Sequence, residues 1–273
     1  MKSTHDLKLA RSTIEDVKNW KSISTNPDDR KVLSYRRLRV TESYKRSVPM
    51  LAEFVEINLT DKSVLDFGYA NHSSDTPSIA TESTHSFVVK FATSVLAVDV
   101  INTDFEDTDC CEYVTGNLLT DITFRKELLN NRAIDVLFVG GTLEHLDNPS
   151  LVFDLFREMS EKCGTKELIV TVPNYLWFIG IYDLISVNTN DLSLNVDHVN
   201  TFYPGSLVEI AERKGCVLTE WSYVGKDDMV KLFAPRPRKT QLIWASSYWL
   251  VRKLNLPFAF NLLSAKIVLR GNN

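Results

Sequence analysis

The spacing of apolar positions along the chain changes character near residue 60. Before it, apolar residues recur at helical intervals, around Arg11–Trp20 and again from Asp29 to Asn58, with Val32, Tyr35 and Leu38 and then Met50, Leu51, Phe54 and Val55. After it, short apolar runs dominate. Ser63–Gly68 holds Val64 and Leu65 and closes on Asp66 and a glycine, and Ser94–Asp99 repeats that form with an acid at its end. Ala133–Gly141 and Glu167–Pro173 are two more. None of the four alternates apolar with polar residues, which is what strands of a parallel sheet buried on both faces require. Helical stretches such as Pro149–Glu161 separate them, giving a repeated βα unit. Tyr203–Lys214 predicts a helix, with Pro204 near its start and Gly215 at its stop. Two terminal strands are predicted, Val217–Val224 and Ala265–Arg270, and the Gly225–Ser264 segment between them is far too long for a hairpin loop. The pattern predicts an open α/β sheet with helical additions at both ends.

A chain of 273 residues with 44% hydrophobic and 24% charged residues can bury a sizeable core as one large α/β domain. Four cysteines, two of them adjacent at Cys110 and Cys111, make no C-x-x-C pair, so buried thiols are expected rather than disulfides or a zinc site. The first residues lack the apolar stretch of a signal peptide, which predicts a cytoplasmic protein. The net charge of −4 hides an asymmetry: Lys231–Asn273 carries eight Lys/Arg and no acid, leaving 23 basic against 35 acidic residues elsewhere. So acidic a body argues against a nucleic-acid partner.

In open α/β sheets, ligands bind beyond the carboxyl ends of the strands. Here those ends carry Asp66 and Gly68, then Asp99, then Gly140 and Gly141 with Glu144-His145, and finally Pro173-Asn174. An acid ending the second strand suits two ribose hydroxyls, and a glycine after the first lets the backbone approach a nucleoside. A dinucleotide needs three glycines to cradle its pyrophosphate, and Tyr69-Ala70-Asn71-His72-Ser73 supplies none after Gly68. A nicotinamide-dependent oxidoreductase is therefore disfavoured. S-adenosyl-L-methionine (SAM) has no phosphates to cradle.

Val64-Leu65-Asp66-Phe67-Gly68, Ala97-Val98-Asp99, Asp135-Val136-Leu137-Phe138, Thr142-Leu143-Glu144-His145-Leu146 and Val170-Thr171-Val172-Pro173-Asn174 together resemble the ordered motifs of class I SAM-dependent methyltransferases. Asp197-His198-Val199-Asn200-Thr201-Phe202-Tyr203-Pro204, followed by Leu207 and Gly215, is similar to the branch common in bacterial glycan and natural-product clusters. The resemblance spans about residues 60–224. Two departures from it are Asn71-His72-Ser73 in place of the usual second glycine, and Asn117 where an acid often holds the adenine amine.

The resemblance implies a Rossmann-like open, mostly parallel seven-stranded sheet. Residues 1–60 would form a helical lid, and 61–273 the methyltransferase-like domain with a basic amphipathic insertion at 225–264. It implies SAM as methyl donor and S-adenosyl-L-homocysteine as product, held by Asp66, Gly68, Tyr69, Asp99, Val100, Asn117, Leu118, Gly140 and Gly141. The acceptor is expected to be a small molecule, a sugar or glycan intermediate, methylated on oxygen. Its proton needs a base, for which a histidine near neutral pKa is suited. His198, oriented by Asp197, is the first choice and His145 the second, while His72 and His85 read as loop residues. Tyr35, Arg36, Asn174, Trp177 and Tyr203 are candidates for acceptor contacts, with Phe178, Ile179 and Tyr182 covering the pocket. Without an H-x-H, an H-E-x-x-H or a dense carboxylate triplet, transfer without metal is expected. Nitrogen methylation of a small molecule and a non-catalytic scaffold are the alternatives. The absence of an Asn/Asp-Pro-Pro-Tyr/Phe signature speaks against base methylation in nucleic acids.

Residues 236–254 interleave Leu242, Ile243, Trp244, Tyr248 and Trp249 with Arg236, Arg238, Lys239, Arg252 and Lys253. That composition fits an interfacial helix on anionic lipid, giving peripheral contact with the inner membrane face. It fits a homodimer-forming or core-capping helix as well, and that reading is favoured over lipid contact.

Overall fold

The computed structural model describes residues 20–45, 50–70, 83–103, 105–177, 198–225 and 260–270. Seven strands form one sheet in the order β3-β2-β1-β4-β5-β7-β6. They are β1 (Ser63–Phe67), β2 (Ser94–Asp99), β3 (Cys111–Thr115), β4 (Val136–Gly140), β5 (Glu167–Pro173), β6 (Cys216–Val224) and β7 (Leu262–Leu269). β1 to β5 pair in parallel, and β7 runs antiparallel between β5 and β6. The fold is the Rossmann-like, mostly parallel seven-stranded sheet expected. The helices are α1 (Arg30–Glu42), α2 (Leu51–Leu59), α3 (Thr84–Phe91), α4 (Ile122–Leu129), α5 (Ser150–Cys163) and α6 (Pro204–Arg213). Among the described residues no helix is long and apolar enough to cross a membrane.

The period-two geometry of the strands sorts the core into two layers. Leu65, Phe67, Leu96, Val98, Leu137 and Val139 face α5 and α6, packing on Phe153, Phe156, Met159 and Leu207. Val64, Val95, Ala97, Val136 and Phe138 face the other way, onto Leu51, Phe54, Val55 and Val88 of α2 and α3. Both layers are dry, which is why the sequence runs do not alternate.

α1 lies against α6 and the edge strand β6. Tyr35, a candidate acceptor contact, is buried, and its hydroxyl donates to Glu212 at 2.8 Å. Arg36 pairs with Glu209 at 2.9 Å and lies over the Trp20 ring. Beyond α1, Ser43 and Lys45 hydrogen-bond both backbone groups of Trp221, covering the outer edge of β6 at that point. Through these contacts Tyr35 and Arg36 dock α1 on α6. Most of the 225–264 insertion, with the 236–254 segment, lies outside the described residues.

Candidate functional site

The chain runs outward from β1 through β2 to β3, then returns to β4 on the other side of β1. The crevice at such a reversal is where open α/β sheets bind ligands. Gly68, just past β1, has φ +77°, and a Cβ there would collide with the Thr142 side chain. Thr142 Oγ1 in turn donates to the Gly68 carbonyl at 3.0 Å, so the turns after β1 and β4 are fastened together.

Asp99 closes β2 and is buried. Its Oδ2 accepts from the Ala70 amide and its Oδ1 from the Ile101 amide, each at 3.0 Å. A carboxylate has about four acceptor positions, so two amides leave room for two more donors. Beside it Val100 is 56% exposed, an apolar face at the rim of the crevice. Tyr69 reaches across to Thr103 and packs among His85, Phe105 and Tyr113.

His85 departs from the sequence reading, and it meets Asp66. His85 is no loop residue: it sits in the first turn of α3, which Ser83 caps by accepting from the Ser86 amide. It is 3% exposed, with Nδ1 2.7 Å from Asp66 Oδ2 and Nε2 3.2 Å from the Tyr113 hydroxyl. Asp66 is thus hydrogen-bonded to His85 beneath α3.

Other candidates make contacts within the fold. Asn117 Oδ1 accepts from the Leu119 and Thr120 amides, both at 3.0 Å, and Leu118 is wholly buried. Gly140 lets α3 approach, since a Cβ would lie 2.7 Å from Phe138 and 2.9 Å from Thr84. Gly141 follows with φ +70°. Asn174 donates its side-chain amide to Phe260 O at 2.7 Å and anchors the entry to β7. Tyr203 is exposed at the start of α6, where Ser206 caps its backbone. Trp177 is half-buried, and its Nε1 finds no hydrogen-bond partner among the described residues. His72, Asp197, Phe178, Ile179 and Tyr182 lie outside the described residues.

The two histidines chosen from sequence do meet, and a third residue joins them. A 3₁₀ turn, Leu143–His145, follows β4. The Glu144 carbonyl accepts from the Val199 and Asn200 amides, each at 3.0 Å, and Asn200 Nδ2 donates to Leu146 O. Those bonds clamp the His198 segment onto the turn, so the His145 and His198 rings stand edge to face with centroids 4.7 Å apart. Tyr175, just past β5, places its hydroxyl 3.1 Å from His198 Nδ1. Glu144, His145 and His198 each present a nitrogen or carboxylate oxygen within 4.8 Å of the others.

Glu144 is 2% exposed, and its Oε2 has no hydrogen-bond partner among the described residues. Burial pushes its carboxyl up to about 7, against the pull of its own backbone amide. Burial and the nearby Glu144 charge also raise the Tyr175 phenol, opposed by Thr201. Glu144 was visible in sequence only as part of a motif. A carboxylate preceding a histidine at a strand end was the available signal, but the third partner arrives from beyond β5.

No protein-family model matches the chain, and no curated protein matches it. Solved structures do resemble it. A cyclopropane-fatty-acyl-phospholipid synthase-like protein from Lactobacillus casei shares 11% identity over 86% of this chain and 92% of that one, with a TM-score of 0.48. A SAM dependent methyltransferase from Archaeoglobus fulgidus shares 15% over 85% and 93%, at 0.44. N-methyltransferase NodS from Bradyrhizobium japonicum shares 10% over 89% and 99%, at 0.42. Likeness at this level does not extend to activity.

Proposed function

We propose that the protein is a SAM-dependent methyltransferase acting on an oxygen of a small molecule, with sugars and glycan intermediates as the first acceptors to try. The observation that carries the proposal is Asp99: a buried carboxylate with spare acceptor capacity, beside the exposed Val100 and the Gly68 turn, at the reversal of the sheet. This arrangement fits a nucleoside, the acid taking the ribose hydroxyls and Val100 lying against the base. Asn117 is a weaker fit, because its acceptor oxygen already holds two amides. Bound there, SAM supplies an electrophilic methyl group on a sulfonium.

The chain's own residues then have two tasks. They must hold an acceptor oxygen in line, which is the main requirement of such a displacement, and they must help it lose a proton. The Glu144–His145–His198 cluster gathers at the turn after β4, which Thr142 ties to Gly68 at the end of the neighbouring β1. Its position supports a role in acting on the acceptor. Nitrogen acceptors need little such help, and a scaffold needs none.

Thermal unfolding with SAM, S-adenosyl-L-homocysteine and NAD(P) at matched concentrations tests the proposal. A ligand at about 100 times its Kd adds about 2.7 kcal/mol, which for a chain of this size raises Tm by roughly 2–4 °C per kcal/mol. The expected outcome is a shift with the first two ligands alone. No shift with either would favour the scaffold, and a shift with NAD(P) alone an oxidoreductase. If SAM binds but only amines are methylated, the oxygen assignment fails.

A further inference from the structure

Two imidazoles and one carboxylate converging at the end of β4 are more than a general base requires. A base needs one nitrogen, with its other nitrogen oriented by a partner. Here the buried Glu144 points an unpartnered Oε2 toward no hydrogen-bond donor among the described residues, while ligand atoms of both histidines stand within 4.8 Å of its carboxylate. An orphaned carboxylate oxygen in a dry site costs stability unless something positive completes it.

We propose that Glu144, His145 and His198 bind a first-row divalent transition-metal ion that takes the acceptor's hydroxyl as a further ligand. The donor set selects the ion class. Imidazole and carboxylate together suit Zn²⁺, Mn²⁺, Fe²⁺ or Co²⁺, whereas Mg²⁺ and Ca²⁺ prefer oxygen alone. Metal–donor distances of about 2.0–2.2 Å place donors roughly 3–3.5 Å apart, so the cluster closes by side-chain rotation with the backbone in place. That backbone is already fixed by the bonds from Val199 and Asn200 to the Glu144 carbonyl. Tyr175 completes the arrangement. With its oxygen on Nδ1 of His198 at 3.1 Å, it accepts from Nδ1–H and leaves Nε2 as the ligating nitrogen, as partners of metal-bound histidines do.

The site itself stands on geometry, but its role rests on the methyltransferase proposal above. Three protein ligands leave coordination positions for an acceptor oxygen. Coordination acidifies that hydroxyl, and its proton passes to water, since both imidazoles are engaged as ligands. On this proposal the ion takes over the part first given to His198 as a free base, and transfer depends on the metal.

The test uses full-length protein stripped with chelator and titrated with Co²⁺, followed by calorimetry and visible absorption. A single ion per chain is expected, displaced by Zn²⁺ and not by Mg²⁺. Tyr175→Phe should weaken binding by roughly 10–100-fold, and Glu144→Gln, His145→Ala and His198→Ala each by more than that. Circular dichroism confirms that each variant is folded. Absence of a bound ion, or binding that survives in all three ligand variants, overturns the proposal. Thermal shifts with SAM on the stripped protein separate the two claims. A SAM shift without ion binding removes the metal and keeps the methyltransferase; ion binding without a SAM shift does the reverse.

Discussion

Asp66 and Asp99 end two neighbouring apolar strands, yet they have different fates, and register explains why. Asp66 pairs across to Ala97, two residues below Asp99 on the same face of the sheet. At about 3.3 Å per residue that is roughly 6.6 Å deeper, far enough to lie under α3 where His85 reaches it. Asp99 instead stands at the rim, held by the Ala70 and Ile101 amides. The two acids should therefore answer differently to the same change. Asp99→Asn is expected to leave Tm within a few degrees while raising the Kd for SAM by roughly tenfold to hundredfold, the loss of one or two charge-assisted hydrogen bonds. Asp66→Asn should cost about 1–3 kcal/mol of stability, because it leaves His85 badly paired in a dry interior. Calorimetric titration and urea unfolding of both variants read the two effects. Loss of SAM affinity in Asp66→Asn at unchanged stability would return Asp66 to the cofactor site.

Elements made from local patterns were legible in the sequence, and contacts between distant elements were not. The unalternating runs located β1, β2, β4 and β5, and Pro204 with Gly215 marked the ends of α6, because those signals lie within one segment. The start of α3 falls in a stretch that reads as loop: its cap, Ser83, is one of many hydroxyl residues between Asn71 and Ser86, any of which resembles a helix start. The α1–α6 contact was invisible, since Tyr35 and Arg36 on α1 look like any polar helix face until Glu209 and Glu212 are opposite them. That contact predicts a pH response. Burial raises the Glu212 carboxyl, outweighing the Tyr35 hydrogen bond and the Arg39 charge that lower it. A carboxyl raised above its unfolded value of about 4.3 binds its proton more tightly when folded. Its contribution is complete below that value and is lost as pH rises through the folded pKa. Wild type should therefore lose stability relative to Glu212→Gln as pH rises above the unfolded value of about 4.3. Urea midpoints of the two proteins at several pH values measure it; a constant gap would mean that Glu212 titrates normally.

At the scale of the whole molecule, the crevice and the N-terminal helix sit apart on the sheet. The Asp99 rim and the Glu144–His145–His198 cluster belong to the reversal around β1, while α1 docks on α6 and covers the β6 edge beyond β5 and β7. Undocking α1 should then weaken the fold without touching the ligand. In a Tyr35→Ala, Arg36→Ala, Arg39→Ala variant, α1 loses its bonds to Glu209 and Glu212 and the packing of the Tyr35 ring. A loss of about 2–4 kcal/mol is expected from one buried aromatic and its hydrogen bonds. The Trp221 amide, which donates to Ser43 O at 2.8 Å, should lose protection from hydrogen exchange, while amides of β1 and β4 keep theirs. An edge freed in this way tends to pair with another chain, so light scattering should show association that grows with concentration. The Kd for SAM should not change. A large rise in that Kd with little loss of stability would instead show that α1 closes over the crevice, which is the lid predicted from sequence.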